Sequence, residues 1–359
     1  MNDSLELYML GSGSPAQAVA FARCGDDIAS DILPCVQLGN LQTFRARLER
    51  VAFGVEPVRP SAADLEQFGL DLFAFAIQQR GDRVYQRLPP GPVRIQILSN
   101  HHEIQSLPWE YLQEPGKPSG PSALRLPVRV VPTIQVAAPT PRALNAQKKL
   151  KVLFVYADPA DQDAVAWDEI KSTIERAFLE RAKDQLEIDV VEGASEQSLA
   201  SALLQKQYDI FQFSGHGQID HNGRGELLLR DSSTQRTQPL SAERLANKLS
   251  GRGIQLVVLS ACNTSTGDFT KSFSVIAQTL VENGVPAVVA YQFPVTNSAA
   301  ATFAKGLYSG LLRTGDIDIA VTDGRQMLWS QPRMGNQASI DWGIPTLYRH
   351  IGASKIFQP

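Results

Sequence analysis

From residue 150 onward, short apolar, β-branched runs alternate with stretches in which apolar residues recur every three or four positions. The runs at 151–157, 186–191, 208–213, 255–260 and 286–291 are close to continuously apolar, as strands covered on both faces must be. Between them, Trp167, Ile170, Ile174 and Phe178, and later Phe303, Leu307 and Leu311, keep helical spacing. This alternation predicts an α/β fold, a doubly wound, mostly parallel sheet with helices on both faces. Residues 223–241 break the rhythm, because the runs 226–231 and 237–240 flank the polar tip 232–235. They predict a small hairpin directly after His216, placed to wall any crevice there.

The first 145 residues are less regular. Strands are expected at 5–10, 93–98 and 128–133, and one long amphipathic helix over 62–85. Residues 137–147, with Pro139, Pro141 and Arg142, read as a linker. We expect a smaller amino-terminal α/β unit over 1–145 and a larger unit over 146–359. No internal repeat is visible.

Composition narrows the function classes. The 359 residues are 43% hydrophobic, enough for a substantial core. A net charge of -3, with Lys and Arg scattered singly, gives no basic stripe, so no nucleic-acid partner is expected. No apolar run approaches the roughly 20 residues that span a bilayer, and the start lacks the basic-then-apolar order of a signal peptide. The expected setting is cytoplasmic, away from membranes. Three cysteines, Cys24, Cys35 and Cys262, are too few and too irregularly spaced for a disulfide framework or a cysteine-based zinc site. No metal or cofactor is expected.

Several strings invite a functional reading and carry a plainer one. Gly11-Ser12-Gly13-Ser14-Pro15-Ala16 has the form of a dinucleotide-binding turn, but Pro15 removes an N–H and no convincing βαβ unit follows. His101, His102 and Glu103 are consecutive, so on a strand they point to opposite faces, and a solvated strand end is the expected reading. His221 belongs to the polar turn 220–223. Trp109 reads as apolar packing against the second unit.

Two stretches carry the chemistry. Phe211-Gln212-Phe213-Ser214-Gly215-His216-Gly217 and Leu256-Val257-Val258-Leu259-Ser260-Ala261-Cys262-Asn263-Thr264 each read as a strand ending in a small-residue turn with one reactive side chain. Loops leaving the carboxyl ends of neighbouring parallel strands face one crevice, so His216 and Cys262 can meet. A thiol is a weak nucleophile until an imidazole takes its proton, and the same imidazole can then protonate a leaving amine. A glycine after the histidine lets backbone pass close to substrate, so the N–H groups of Gly217 and Cys262 are candidates for an oxyanion hole. The plainer reading, a core histidine and an inert core thiol, stays open.

The chain resembles the CHAT domain, a branch of the caspase, separase and gingipain group of cysteine endopeptidases. The resemblance rests on Phe213-Ser214-Gly215-His216-Gly217, on Val258-Leu259-Ser260-Ala261-Cys262-Asn263-Thr264, and on Gly284-Val285-Pro286-Ala287-Val288-Val289-Ala290 with Phe293-Pro294-Val295. Leu107-Pro108-Trp109-Glu110-Tyr111-Leu112 looks like a segment common upstream in such domains, and together these cover about residues 93–328. The resemblance implies a caspase-like fold and a thiol protease acting on a protein substrate. It further implies a regulated effector of bacterial defence or cell death, held by an activating or inhibiting partner protein. It implies that the amino-terminal unit corresponds to the inactive companion half of separases. The pocket for the residue before the scissile bond carries over to Asp158, Ser260, Tyr291, Gln292 and Phe293. Asp158 would there favour a basic side chain, or it simply caps the turn before Pro159. A catalytically silent interaction scaffold on the same fold is the alternative.

Overall fold

A computed structural model of the chain describes residues 4–10, 18–24, 26–88, 93–99, 101–116, 125–131, 142–143, 149–162, 186–261, 269–331, 339–350 and 352–358. The chain forms two compact units, one of Met1–Val130 with Trp329–Ile344, the other of Val131–Leu328 with Pro345–Pro359. The division comes ahead of the expected boundary at 145, and the return of Trp329–Ile344 to the first unit has no counterpart in the linear reading.

In the first unit, β1 (Ser4–Leu10), β2 (Val19–Cys24) and β3 (Asp27–Ile32) form an antiparallel meander. Strands β4 (Val93–Ser99) and β5 (Arg125–Val131) extend it in parallel from β1, giving the order β3-β2-β1-β4-β5. Its helices are α1 (Cys35–Ala52), α2 (Ala62–Ala76), α3 (Gln79–Tyr85) and the single turn α4 (His102–Gln105). The one helix expected over 62–85 is therefore two. The chain turns extended at Ile77 and Gln78, and Asp31 on β3 accepts from the N–H groups of Arg80 and Gly81, capping α3 against the sheet.

Leu10 stands opposite Val19 in the antiparallel pair, so the chain after Gly11–Ala16 enters a strand and not a helix. That connectivity removes the dinucleotide-binding reading; the loop itself lies outside the described residues. His101 corrects another expectation. It is 7% exposed, not solvated, and its N–H donates to Ser99 Oγ, which in turn donates to Met9 O. Trp109 finds its partners within its own unit: Nε1 donates to Ile104 O at 2.9 Å and the ring lies 6.3 Å from Phe75. Tyr111 donates to Ile340 O and packs edge-on against Trp342 at 4.9 Å, which meets Trp329 at 5.4 Å. These aromatics tie the returning segment to the first unit.

The second unit contains β6 (Arg142–Ala143), β7 (Leu150–Tyr156), β8 (Leu186–Val191), β9 (Ile210–Ile219), β10 (Gly225–Arg230), β11 (Thr237–Ser241), β12 (Leu256–Ala261), β13 (Ala287–Tyr291), β14 (Pro345–His350) and β15 (Phe357–Gln358). The main sheet runs β8-β7-β9-β12-β13 in parallel and closes on antiparallel β14, while β15 pairs with β6. All five expected strands are present. Helices α5 (Glu196–Gln205), α6 (Ala242–Leu249), α7 (Phe269–Glu282), α8 (Asn297–Thr314) and α9 (Ile317–Trp329) complete the unit. Phe303, Leu307 and Leu311 lie buried on α8 as their spacing predicts, whereas the helix expected around Trp167 to Phe178 lies outside the described residues.

Alternation along β9 places helices on both faces. Phe213 meets Phe273 of α7 at 6.5 Å, and its neighbour Gln212 accepts from Tyr308 Oη of α8 at 2.6 Å on the other side. Burial pushes the Tyr308 phenol well above its ordinary pKa, so it stays a hydrogen-bond donor. On the same unit, Arg349 of β14 forks onto Asp318 of α9, with Nε–Oδ1 at 2.8 Å and Nη2–Oδ2 at 3.0 Å, and its Nη1 donates to His350 O. Among the described residues no helix is long and apolar enough to cross a membrane, and no group of three or more His, Cys, Asp or Glu side chains could hold a metal ion.

Candidate active site

The order of the strands dictates where a site can form. From β7 the chain passes to β8 on one side, and from β9 to β12 on the other, so loops at the carboxyl ends of β7 and β9 diverge and leave a crevice. Asp158 follows β7 there, half-buried, with Ala157 N–H donating to Ser214 O at 3.1 Å.

His216 is not on a turn. Strand β9 continues through Ser214, Gly215 and Gly217, and its far end leaves β7 and β12 to pair with β10, placing His216 opposite Leu228 and Gly217 opposite Leu227. The imidazole is thus carried by a hydrogen-bonded ladder and is 3% exposed. Gly217 has a second reason to be glycine besides approach to substrate. A Cβ there would lie 2.8 Å from Ser272 Oγ and 3.2 Å from the Phe273 ring, so α7 occupies the space. We expect Gly217→Ala to lower stability by about 1–3 kcal/mol through overpacking, read as a shifted urea midpoint at unchanged m-value.

Cys262 lies outside the described residues. The residue before it, Ala261, ends β12 directly opposite Gly215, the residue before His216. Ser260 is buried, and its Oγ donates to Phe213 O at 3.0 Å across the two strands. Register lines up Tyr156, Ser214 and Ser260 on adjacent strands, a row of buried residues two positions before His216 along the strand. Tyr291 ends β13 and packs edge-on against Phe303 at 5.8 Å, with Gln292 and Phe293 buried after it. Asp158, Ser260, Tyr291, Gln292 and Phe293 therefore all lie at the carboxyl edge of the parallel strands.

The hairpin forms as its polar tip predicts, and it is fastened to this edge. Asp231 accepts from the N–H and hydroxyl groups of Ser233 and Thr234, which holds its carboxyl down to about 2. Gln235 takes φ 63°, and its carbonyl accepts from Ala160 N–H at 2.9 Å. Asp161 Oδ1 accepts from Thr237 N–H and Oγ1, each at 2.8 Å, which lowers the Asp161 pKa. The tip thus straps the loop that carries Asp158. The Asp161–Thr237 contact spans 76 residues, and neither residue stands out by local pattern.

No curated protein matches the chain in sequence. Among solved structures, a chain of the Saccharomyces cerevisiae separase–securin complex at 3.0 Å resolution is 13% identical with a TM-score of 0.42, covering 80% of this chain and 18% of that one. A chain of the same complex at 2.6 Å resolution is 11% identical with a TM-score of 0.42, covering 89% and 23%. This protein spans about a fifth of the length of those neighbours. The CHAT domain family model matches residues 72–352, and the chain belongs to the CHAT domain family.

Proposed function

We propose that the chain is a cysteine endopeptidase that uses His216 and Cys262 to cut a protein substrate. The reading is carried by the register of β9 and β12, in which the residues just before the histidine and the cysteine stand opposite each other on adjacent parallel strands. Cys262 Sγ attacks the scissile carbonyl carbon as His216 takes the thiol proton, and the N–H groups of Gly217 and Cys262 stabilise the oxyanion. His216 returns the proton to the leaving amine as the C–N bond breaks. Water, deprotonated by His216, then opens the thioester and frees the thiol. Asp158, Ser260, Tyr291, Gln292 and Phe293 shape the pocket before the scissile bond. Membership of the CHAT family and the strapped loop at Asp158 support a regulated protease, acting in the cytoplasm in defence or cell death under the control of a partner protein. The first unit would then serve as structural or regulatory companion.

Incubating the protein with a randomised octapeptide library under reducing conditions, and reading new termini by mass spectrometry, tests this. Cleavage that disappears in Cys262→Ala is the expected result. A library cut equally by Cys262→Ala rejects the reading, and an uncut library rejects it unless the native chain's Cys262 still alkylates faster than that of His216→Ala, as a latent dyad requires.

A further inference from the structure

Arg230 ends β10 and pairs with Thr237 of β11. Leu228, two residues earlier, stands opposite His216. Directly opposed residues of an antiparallel pair share a face, and so do residues two apart on one strand. Arg230 therefore projects from the same side of the sheet as His216, about 7 Å further along β10. Its N–H donates to Ala194 O at 2.8 Å, and Ala194 N–H donates to Tyr156 O at 2.8 Å, at the carboxyl end of β7. These two bonds place Arg230 beside the crevice where the strand order reverses.

Arg230 Nε is buried without a hydrogen-bond partner, and among the described residues no carboxylate pairs with Arg230. Other arginines of this unit are matched: Arg236 by Asp161, Arg244 by Glu196, Arg313 by Asp323 and Arg349 by Asp318. Space is also reserved for the Arg230 side chain. Gly193 has φ 56°, and a Cβ there would come within 3.1 Å of Arg230 Nη1 and 3.7 Å of its Cδ. A half-buried guanidinium without an anion carries an uncompensated loss of hydration, which an incoming carboxylate can offset with two parallel hydrogen bonds.

We infer that Arg230 is a specificity determinant that receives the carboxylate of an aspartate or glutamate side chain of the substrate, two to four residues from the scissile bond. The inference rests on the reading of His216 and Cys262 as a peptidase dyad. The lower bound follows from the 7 Å offset, about two residues of an extended peptide that advances about 3.3 Å each, and the length of the arginine side chain extends the range to four. Asp158, of opposite charge, serves a different substrate residue, so a cleaved sequence carries an acid at a fixed distance from the bond whatever Asp158 selects.

Two arms separate this inference from the reading beneath it. In the binding arm, Cys262→Ala protein is immobilised and exposed to an octapeptide library blocked at both ends, and retained peptides are sequenced. Asp and Glu should be enriched, the enrichment should vanish with Arg230→Gln added, and Arg230→Glu should favour Lys and Arg instead. In the cleavage arm, Arg230→Gln should lower kcat/KM for acid-bearing peptides by about 10- to 100-fold, chiefly through KM, and leave their amide analogues unchanged. Arg230→Lys, which keeps the charge without the planar fork, should retain part of the preference and guards against a folding defect in the neutral variant. Peptides cut without an acid preference, or with one that survives Arg230→Gln, overturn the inference and leave the peptidase reading standing. Acid-selected binding lost in Arg230→Gln, with no cutting by the intact dyad, rejects the peptidase reading and keeps the subsite. Absence of acid enrichment in the binding arm overturns the inference.

Discussion

At pH 7, iodoacetamide should alkylate Cys262 about tenfold faster in the native protein than in His216→Ala. An unperturbed thiol with a pKa near 8.5 is only about 3% thiolate at that pH, whereas one whose pKa an imidazolium lowers to about 7 or below is at least half ionised. The gain in thiolate is partly offset because a less basic thiolate is intrinsically less nucleophilic. The pH profile is the sharper readout. The native rate should level off near neutrality, and the variant rate should keep rising to about pH 8.5, with the half-buried Cys24 as internal reference. Peptide turnover should fall further, by about 10²–10⁴-fold, because His216→Ala also removes the acid that protonates the leaving amine. Peptide mass spectrometry resolves each cysteine. Identical Cys262 profiles with and without His216 would mean that no dyad operates.

Asp318→Asn should cost about 3–5 kcal/mol of stability, the largest effect expected outside the site. Asp318 is 1% exposed and Arg349 2%, and the carboxylate takes two of the guanidinium's bonds. Removing its charge leaves a buried cation facing only neutral acceptors, the asparagine oxygen and the His350 carbonyl, and sets an amide N–H₂ against one guanidinium N–H. The double variant Asp318→Leu with Arg349→Met should recover much of the loss, because apolar groups of similar volume avoid the desolvation that the pair has to offset. Urea unfolding of the two single variants and the double variant measures the coupling. Lys206, which bridges Glu187 and Asp189 on the partly exposed β8, provides the contrast: Lys206→Ala should cost no more than about 1 kcal/mol. Equal losses at both sites would refute the argument from burial.

The parallel strands were legible because burial on both faces writes itself as unbroken apolar runs, seen at Leu256, Val257, Val258 and Leu259. The hairpin was legible from its polar tip. Strands β2 and β3 were not, since β3 alternates Ile with Ala, Ser and Asp and is nowhere fully buried. The break after Ala76 was invisible because it depends on Asp31, some 50 residues upstream in the chain. Gly215 and Gly217 suggested a turn around His216. Gly217 instead makes room for α7, a tertiary demand that no local pattern records. Arg230 looked ordinary in sequence, because the unpartnered burial of its Nε among the described residues is a property of its neighbours and not of the residue.

The segment Trp329–Ile344 has a consequence for biosynthesis. Tyr111 finds its acceptor at Ile340, 229 residues downstream, and Trp342 closes the aromatic cluster beside it. A ribosome extends the chain by about 5–20 residues per second, so the first unit waits some ten seconds or more, incomplete, while most of the second is made. The amino-terminal unit therefore stays incomplete until Trp329–Ile344 has been made, and a nascent chain stalled before residue 329 would expose its aromatic cluster to chaperones and proteases.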